Sequence, residues 1–566
     1  MEKVPEPIIT DPIRFTKQEL AQADAHETSL TDSNKEFILE YPVVYIVYDN
    51  SKKGYHVYVG ETNDIEQRTQ EHLIEERADW QAFRKSDNTM MIVIGHAHFN
   101  KSLTLDIENT MMMYMLGVES VQKLNNRRTN QQYKYFTAGE RKPIFSKIWQ
   151  QLHELNGDLF PIEEVIRDSA IFKASPFHKL TKEQETARKK IFLRITELAN
   201  AHATGQLIMV EGEAGSGKTV LLSTLFYRLS RMNQDSHAKN YMLVNHDEQV
   251  KVYENIAKKL DLNIETVCKP TKFINNHQPD APADVVLVDE AHLLWTQGKQ
   301  SYRGKNQLQD IMARAKVTVI IFDPKQILKT EGYLTSNDIL KLENHARQQH
   351  NLIQLKEQLR IQASESTIIW LRQFINQHVV LPIPADPDYD LKIFDDAQTM
   401  YQTIRQRAAT TEHGLSRVVA TFDWPYKNND RHHRYMVTAG TLSLPWNLQL
   451  VPPRGQKTLP WAEQPQTINE VGSTFTIQGF DLNYAGVIIG PSVKYRDGHL
   501  IFDPSESYNK KATNHRTLAN GKRVDVHNEL LANELNVLMT RGVHGLYIYA
   551  VDDQLRQALL DAATRH

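Results

Sequence analysis

Apolar and polar positions along the chain change rhythm at two places. Val43-Val44-Tyr45-Ile46-Val47-Tyr48 and Tyr55 to Gly60 are β-rich runs separated by the polar stretch Asp49-Asn50-Ser51-Lys52-Lys53-Gly54, a pattern that predicts a hairpin. Asn63 to Glu76 then reads as a helix with an Asn cap, Met90 to Ile94 as a third strand and Leu103 to Leu116 as a methionine-rich helix. This unit ends near residue 150; residues 1–40 before it are polar and acidic and read as a loosely ordered leader with a short helix around Lys17 to Ala25. From Leu180, short apolar runs alternate with helical stretches, the signature of a parallel sheet covered on both faces. Leu207 to Val210, Tyr241 to Val244, Val285 to Val288 and Val317 to Phe322 form one set of strands; Ser416 to Phe422, Ala485 to Ile489 and Gly545 to Ala550 form a second. The pattern predicts an α/β protein divided into a leader over 1–40, a small mixed α/β domain over 41–150, a linker over 151–178 and two parallel-sheet lobes over 179–375 and 376–566.

Composition adds limits. A chain of 566 residues is too long for one core. Its 40% hydrophobic and 24% charged content is that of an ordinary globular protein, and no apolar run approaches the roughly 18 residues needed to cross a bilayer. The stretch from Met1 to Thr10 lacks the apolar core of a signal peptide. A single cysteine, Cys268, excludes an internal disulfide and a cysteine-based zinc site and fits a reducing, cytoplasmic setting. The net charge of -3 gives no global basic signal, so a nucleic acid would have to meet a local cluster of Lys and Arg.

The candidate chemistry centres on Gly212-Glu213-Ala214-Gly215-Ser216-Gly217-Lys218-Thr219, which fits the G-x-x-x-x-G-K-[ST] phosphate-binding loop at every fixed position. Gly212, Gly215 and Gly217 let backbone N–H groups turn inward on a phosphate, and the following helix adds its positive end. Lys218 would touch the β- and γ-phosphates and Thr219 the magnesium. The apolar run from Leu207 to Val210 before the loop and the amphipathic pattern from Val220 to Leu229 after it supply the strand-to-helix context. Further on, Val285-Val286-Leu287-Val288-Asp289-Glu290 puts two carboxylates at the end of a buried strand, where Asp289 can hold magnesium and Glu290 polarise the attacking water.

With these motifs in order, the chain from about residue 175 to 566 resembles superfamily 1 helicases, and within them the Schlafen-type group. The resemblance implies two RecA-like lobes that bind ATP between them. Leu180-Thr181-Lys182-Glu183-Gln184 is similar to the adenine-recognising motif, with Gln184 in the glutamine position. Phe322-Asp323-Pro324-Lys325-Gln326 is similar to the motif whose glutamine senses the γ-phosphate, which points to Gln326. Leu355 to Arg360 and Leu538-Met539-Thr540-Arg541-Gly542 look like the motifs that each supply an arginine to the phosphates, Arg360 and Arg541. Ser473 to Asp481 is similar to the coupling motif, with Gln478 and Asp481 on the nucleotide side; Phe475 stands where a histidine often sits and Asp481 where a glutamate often sits. Phe422 and Trp424 could stack bases of a single strand, but packing is the better reading for both.

The amino-terminal unit, over about residues 41 to 130, resembles GIY-YIG nucleases. Val43-Val44-Tyr45 stands in the place of the first triplet, having lost its Gly and Ile, and Tyr58-Val59-Gly60 in the place of the second. Arg68 and His72 lie four apart on a predicted helix and so share a face. The resemblance implies that Tyr45 helps activate water, that Tyr58 and Arg68 support the scissile phosphate beside His72, and that Glu108 binds the divalent metal, Mg2+ or Mn2+. Asn125 or Asn126 matches a family asparagine.

Together these resemblances imply an ATP-dependent nuclease-helicase acting on nucleic acid, DNA ahead of RNA, in defence against foreign DNA in bacteria or in repair. Two other readings stay open: a nucleotide-gated switch that does not translocate, and a nucleic-acid-binding adaptor. The sequence implies no membrane partner and leaves assembly into identical copies open.

Overall fold

A computed structural model describes residues 4–16, 32–51, 53–126, 132, 134–200, 204–232, 238–298, 302–427, 430, 433–454, 456–457, 459–518 and 521–564. The helix expected around Lys17 to Ala25 lies outside the described residues. The chain divides into two compact units. One comprises Met1–Leu180, Ser223–Ser236 and Lys251–Val267; the other comprises Thr181–Leu222, His237–Val250 and Cys268–His566.

The first unit is built on a mixed sheet with strand order Ile8–Ile9, Thr89–Gly95, Val43–Ser51, Gly54–Thr62, Val121–Leu124; Ile13–Arg14 also pairs with Thr89–Gly95. The pairing is antiparallel except at the last strand, which runs parallel to Gly54–Thr62. The β-branched and aromatic run of the hairpin buries one side against Ile65, Trp80, Phe83, Met91 and Val93, and the helix Lys101–Gly117 packs on the hairpin strands. The hairpin register sets Tyr45 opposite Gly60 and Val47 opposite Tyr58, so the two tyrosines are diagonal neighbours on one face. The helix after the hairpin is Ile65–Ile74. Its cap is Asp64 rather than the expected Asn63, because the Asp64 carboxylate can accept the Gln67 N–H, at 2.9 Å. The 151–178 stretch is folded: helices Glu163–Asp168 and Ala170–Lys173 pack on Lys101–Gly117.

The second unit holds two parallel sheets. In the first, Leu352–Leu355, Gln206–Gly212, Ala315–Phe322, Ala283–Asp289 and Asn240–Val244 pair in that order. In the second the order is Asp390–Ile393, Gly542–Ala550, Leu482–Ile489, Arg417–Ala420, Val471–Ser473. Every residue of Leu482–Ile489 is buried, as expected of a strand covered on both faces. The strand expected from Ser416 to Phe422 stops at Ala420. There the Phe422 N–H leaves the ladder for the buried Glu534 carboxylate, and the Asp423 N–H closes a turn on Thr421 O at 2.8 Å.

Candidate functional sites

In the first unit the strands and helix bring Tyr45, Tyr58 and His72 together. The Tyr45 hydroxyl lies 2.7 Å from His72 Nε2, and the Tyr45 and Tyr58 rings are 6.1 Å apart between centroids. Gly60 makes room for this: a Cβ there would stand 2.3 Å from both Cζ and Oη of Tyr45. On its other side His72 Nδ1 is 3.2 Å from a Glu75 carboxylate oxygen, which assigns the proton to Nδ1 and leaves Nε2 to accept from Tyr45. Trp80 stacks on the imidazole at 3.6 Å between centroids and holds its plane. Arg68 pairs with Glu71 at 2.8 Å with nearly half of each side chain exposed, so its guanidinium remains within reach of an incoming anion.

Burial dominates the electrostatics here. It pushes the Tyr45 phenol well above its ordinary range, helped by Tyr58, and it lowers His72 to about 3 with help from Arg68 and Arg77. The Tyr45–His72 pair is therefore neutral. Burial, and after it the neighbouring Glu61, raises Glu108 to about 8. Glu61 is itself paired with Lys101 at 2.7 Å, and among the described residues no hydrogen bond or ion pair reaches the Glu108 carboxylate. A desolvated carboxylate beside a second carboxylate fits a divalent cation, and no cluster of three or more His, Cys, Asp or Glu among the described residues forms a fuller cage. One carboxylate with water completing the shell suits magnesium. Asn126 spans both backbone groups of Val59, accepting its N–H at 3.0 Å and donating to its carbonyl, while the Asn125 N–H donates to Val57 O. Asn126 thus pins the strand that carries Tyr58. Trp80 and Glu75 escaped the sequence reading; Glu75 is three residues past His72, a helical spacing that could have found it, whereas nothing in spacing marks Trp80.

In the second unit the phosphate loop joins Gln206–Gly212 to the helix Lys218–Met232. Gly215 and Gly217 have φ of +88° and +73°, left-handed backbone that favours glycine, and both lie against another motif. A Cβ on Gly215 would meet Arg360 Cβ at 2.6 Å, and one on Gly217 would meet Gln184 Nε2 at 2.0 Å; at Gly212 the obstacle is Ser216 Oγ at 2.4 Å. Gln184 donates to Ser216 O at 3.2 Å and accepts the Thr181 N–H. Lys218 Nζ donates to Gly212 O and Glu213 O at 2.6 and 2.8 Å and stands 3.7 Å from Asp323; burial lowers its pKa. Thr219 follows it in the helix's first turn.

Asp289 ends its strand almost fully buried, with one oxygen 3.0 Å from the Glu290 N–H. Glu290 takes a left-handed φ of 50° and pairs with His292 at 3.0 Å; burial opposes its charge, but His292, Lys218 and Arg541 outweigh it and hold the carboxylate ionised. Gln326 donates to Asp323 at 2.7 Å and accepts from Arg541 at 3.3 Å, and its carbonyl accepts from Gln478 at 3.2 Å. Arg541 is 1% exposed, and burial, followed by Arg360, brings it down to about 9. Arg360 is held by Asp481, Nε to carboxylate oxygen 2.5 Å. Asp481, expected on the nucleotide side, thus lies beside the arginine expected at the phosphates. Trp424 is buried and donates to Thr438 O, as a packing residue does. His292 was not found from sequence, although it lies only two residues past Glu290.

Comparison with known proteins now decides the family. The family model of the Schlafen group 3 DNA/RNA helicase domain matches residues 205–552, more than half of the chain. The chain belongs to the Schlafen group 3 helicase family. The GIY-YIG catalytic domain matches residues 41–112, ahead of the Schlafen domain. An uncharacterized protein of Saccharomyces cerevisiae is 33% identical over 424 residues, 67% of this Schlafen chain and 90% of the yeast protein. Among solved structures, C. elegans PCH-2 is similar with a TM-score of 0.19 and 12% identity, covering 72% of this chain and 89% of that one, a likeness too slight to carry any argument. This is a GIY-YIG nuclease domain followed by a Schlafen helicase-like domain, a pair that suggests nuclease and helicase action on nucleic acid. Domains of these kinds generally use divalent metals and ATP. No helix among the described residues is long and apolar enough to cross a membrane.

Proposed function

We propose that the protein cleaves phosphodiester bonds of nucleic acid, DNA ahead of RNA, at the Tyr45–His72–Glu108 site, and that ATP hydrolysis at the Lys218 loop drives or gates the cleavage. The observation that carries this reading is the 2.7 Å contact of the Tyr45 hydroxyl with His72 Nε2 in a chain that also holds a full phosphate-loop network. Arg68 would grip a non-bridging phosphate oxygen, and its charge, one cause of the low His72 pKa, would be offset once that phosphate is bound. A water at the Tyr45 hydroxyl would pass its proton to the phenol oxygen as the phenol proton moves to His72 Nε2, with Glu75 holding the imidazolium at Nδ1; the water oxygen would form the new bond to phosphorus as one ester P–O bond breaks, and the leaving oxygen would take its proton from solvent. Glu108 would hold a magnesium or manganese ion, which supplies positive charge on the scissile phosphate. In the other unit Thr219 and Asp289 would hold magnesium, Lys218 would grip the β- and γ-phosphates, Glu290 would orient water, and Arg360 and Arg541 would meet charge developing on the γ-phosphate beside Gln326. The lobes would span 179–375 and 376–566, with Gln184 at the adenine and Gln478 at the coupling step. Selective destruction of foreign DNA, or repair, in the cytoplasm suits such a fusion by analogy.

The test is incubation of the protein with single-stranded, duplex and forked DNA and RNA, with and without ATP and Mg2+. Cleavage that vanishes in Glu108→Ala with ATPase retained, and in Lys218→Ala loss of ATPase together with the response of cleavage to ATP, is the expected result; metal-independent cleavage, none on any substrate, or cleavage indifferent to ATP refutes it. A second reading, a nucleotide-gated switch without translocation, is favoured by the Arg360–Asp481 pair, because the arginine must leave Asp481 to reach a phosphate. ATP hydrolysis without strand displacement on a forked substrate would decide for the switch.

A further inference from the structure

Glu61 and Glu108 meet along one stripe of a single helix. Lys101, Thr104 and Glu108 are three and four residues apart on Lys101–Gly117 and so follow one another along one of its faces. Against that stripe the hairpin strand Gly54–Thr62 sets the Glu61 carboxylate, which receives the Lys101 ammonium on both oxygens, at 2.8 and 2.7 Å, and the Thr104 hydroxyl on one of them, at 3.4 Å. One turn further along the helix, Glu108 feels the charges of Glu61, Lys101 and Arg68.

Two features mark Lys101 as a removable partner. It is the first residue of its helix, where the positive end of the helix opposes a cation, so Glu61 and not the helix holds the charge there. Its side chain is 51% exposed and that of Glu61 only 11%, so the ammonium can swing into water on its flexible stem while the carboxylate stays in place.

We infer that Lys101 is a tethered stand-in for the divalent cation: it neutralises Glu61 in the metal-free protein and leaves it when Glu108 takes up Mg2+ or Mn2+, so that Glu61 becomes the second carboxylate of the site and accepts hydrogen bonds from the water shell of the ion. This rests on the reading of Glu108 as the residue that holds the metal. A divalent ion brings two positive charges to two carboxylates, and the charge of Lys101 is then surplus beside it. Mg2+ keeps several of its waters, and a carboxylate that grips those waters raises affinity without a direct bond to the ion. Once released, the Lys101 ammonium can meet a phosphate of the nucleic-acid backbone, so metal loading adds a cation to the substrate surface.

The test measures Mn2+ binding to the nucleotide-free full chain from the EPR signal of the free ion, and the rate of Lys101 acetylation by acetic anhydride, followed by mass spectrometry, with and without Mn2+. Binding at this site is the part that Glu108→Gln removes. Glu61→Gln is expected to weaken that binding by about tenfold. Lys101→Met is expected to tighten it by about fivefold and Lys101→Arg to stay within about twofold of wild type, and in a Glu61→Gln background the gain from Lys101→Met should shrink below about twofold. Acetylation of Lys101 in wild type should rise by about threefold or more at saturating Mn2+, and in Glu108→Gln not at all. If Glu108→Gln loses Mn2+ while Lys101→Met or Glu61→Gln binds it as wild type does, or if Lys101 acetylation is indifferent to Mn2+, the exchange is overturned and the Glu108 reading stands. A Glu108→Gln protein that binds Mn2+ as wild type does removes the Glu108 reading and the exchange with it, so the two failures are distinguishable.

Discussion

Replacing Gly60 with alanine tests the nuclease-like site at its tightest point. The added Cβ would stand 2.3 Å from Cζ and Oη of Tyr45 and 2.7 Å from Cε1, whereas a relaxed carbon contact needs about 3.5 Å. Gly60 is not left-handed, so the cost is purely steric. Tyr45 is 1% exposed and enclosed by Ile65, Trp80, Phe83 and Met91, so its ring can retreat by about 1 Å only by pushing on that cluster, at an overpacking cost of about 1–3 kcal/mol. The same retreat stretches the 2.7 Å contact with His72 Nε2 past hydrogen-bonding distance, a further loss of about 1 kcal/mol. In a Tyr45→Ala background the clash has no partner, so Gly60→Ala should then cost close to nothing, and a double-mutant cycle should give a coupling of about 2–3 kcal/mol. Native-state hydrogen exchange of Val43–Ser51 and Gly54–Thr62 in the full chain measures each corner of the cycle locally. Metal-dependent cleavage should fall by about a hundredfold in Gly60→Ala, as expected for a roughly 1 Å displacement of a reacting group. A coupling below about 0.5 kcal/mol would refute the claim that the glycine exists to seat the tyrosine.

Two further outcomes can be measured directly. Glu534 is pushed up to about 8, by burial first and by Asp423 next, from about 4.5 in the unfolded chain. A raised folded pKa gives stability that is full below about 4.5 and is lost as pH rises through about 8, by at most about 5 kcal/mol for this group; urea midpoints at pH 5 and 8.5 should therefore diverge in wild type and converge in Glu534→Gln. Asp481→Asn should free Arg360 and tighten ATP binding by about tenfold, roughly 1.4 kcal/mol, read by fluorescent-nucleotide competition; weaker binding instead would put Asp481 on the nucleotide itself.

The fold class was legible because strands covered on both faces must be almost wholly apolar. Leu482–Ile489 and Ala283–Asp289 announce themselves as short buried runs whatever lies far away in sequence. Where the ladder is broken by a distant side chain, local pattern fails: nothing near Phe422 shows that Glu534 takes its N–H and ends the strand at Ala420. Ile8–Ile9 and Ile13–Arg14 are too short for any period to register, and only their partner strand Thr89–Gly95 makes them strands. The phosphate loop was legible for the opposite reason, since its demands on backbone conformation fall within eight consecutive residues. The Arg360–Asp481 pair was not, because helix and strand periodicity are silent about which charge 121 residues away closes on an arginine. The interleaving of the two units was equally hidden: an amphipathic pattern says that Lys218–Met232 buries a face, without saying that its two ends bury it in different units.

A common device joins the two candidate sites. At Gly60, Gly215 and Gly217 the missing side chain is filled by a residue of another motif, Tyr45, Arg360 and Gln184 respectively. Each motif is therefore located in part by the absence of an atom in its neighbour. At Gly215 and Gly217 left-handed backbone adds a second requirement for glycine, so trimming the partner should restore only part of what alanine costs there. At Gly60 sterics act alone, and trimming the partner should restore nearly all of it. The difference between partial and full rescue separates glycines that shape a loop from glycines that seat a side chain, and it assigns the phosphate loop to the first kind and the nuclease hairpin to the second.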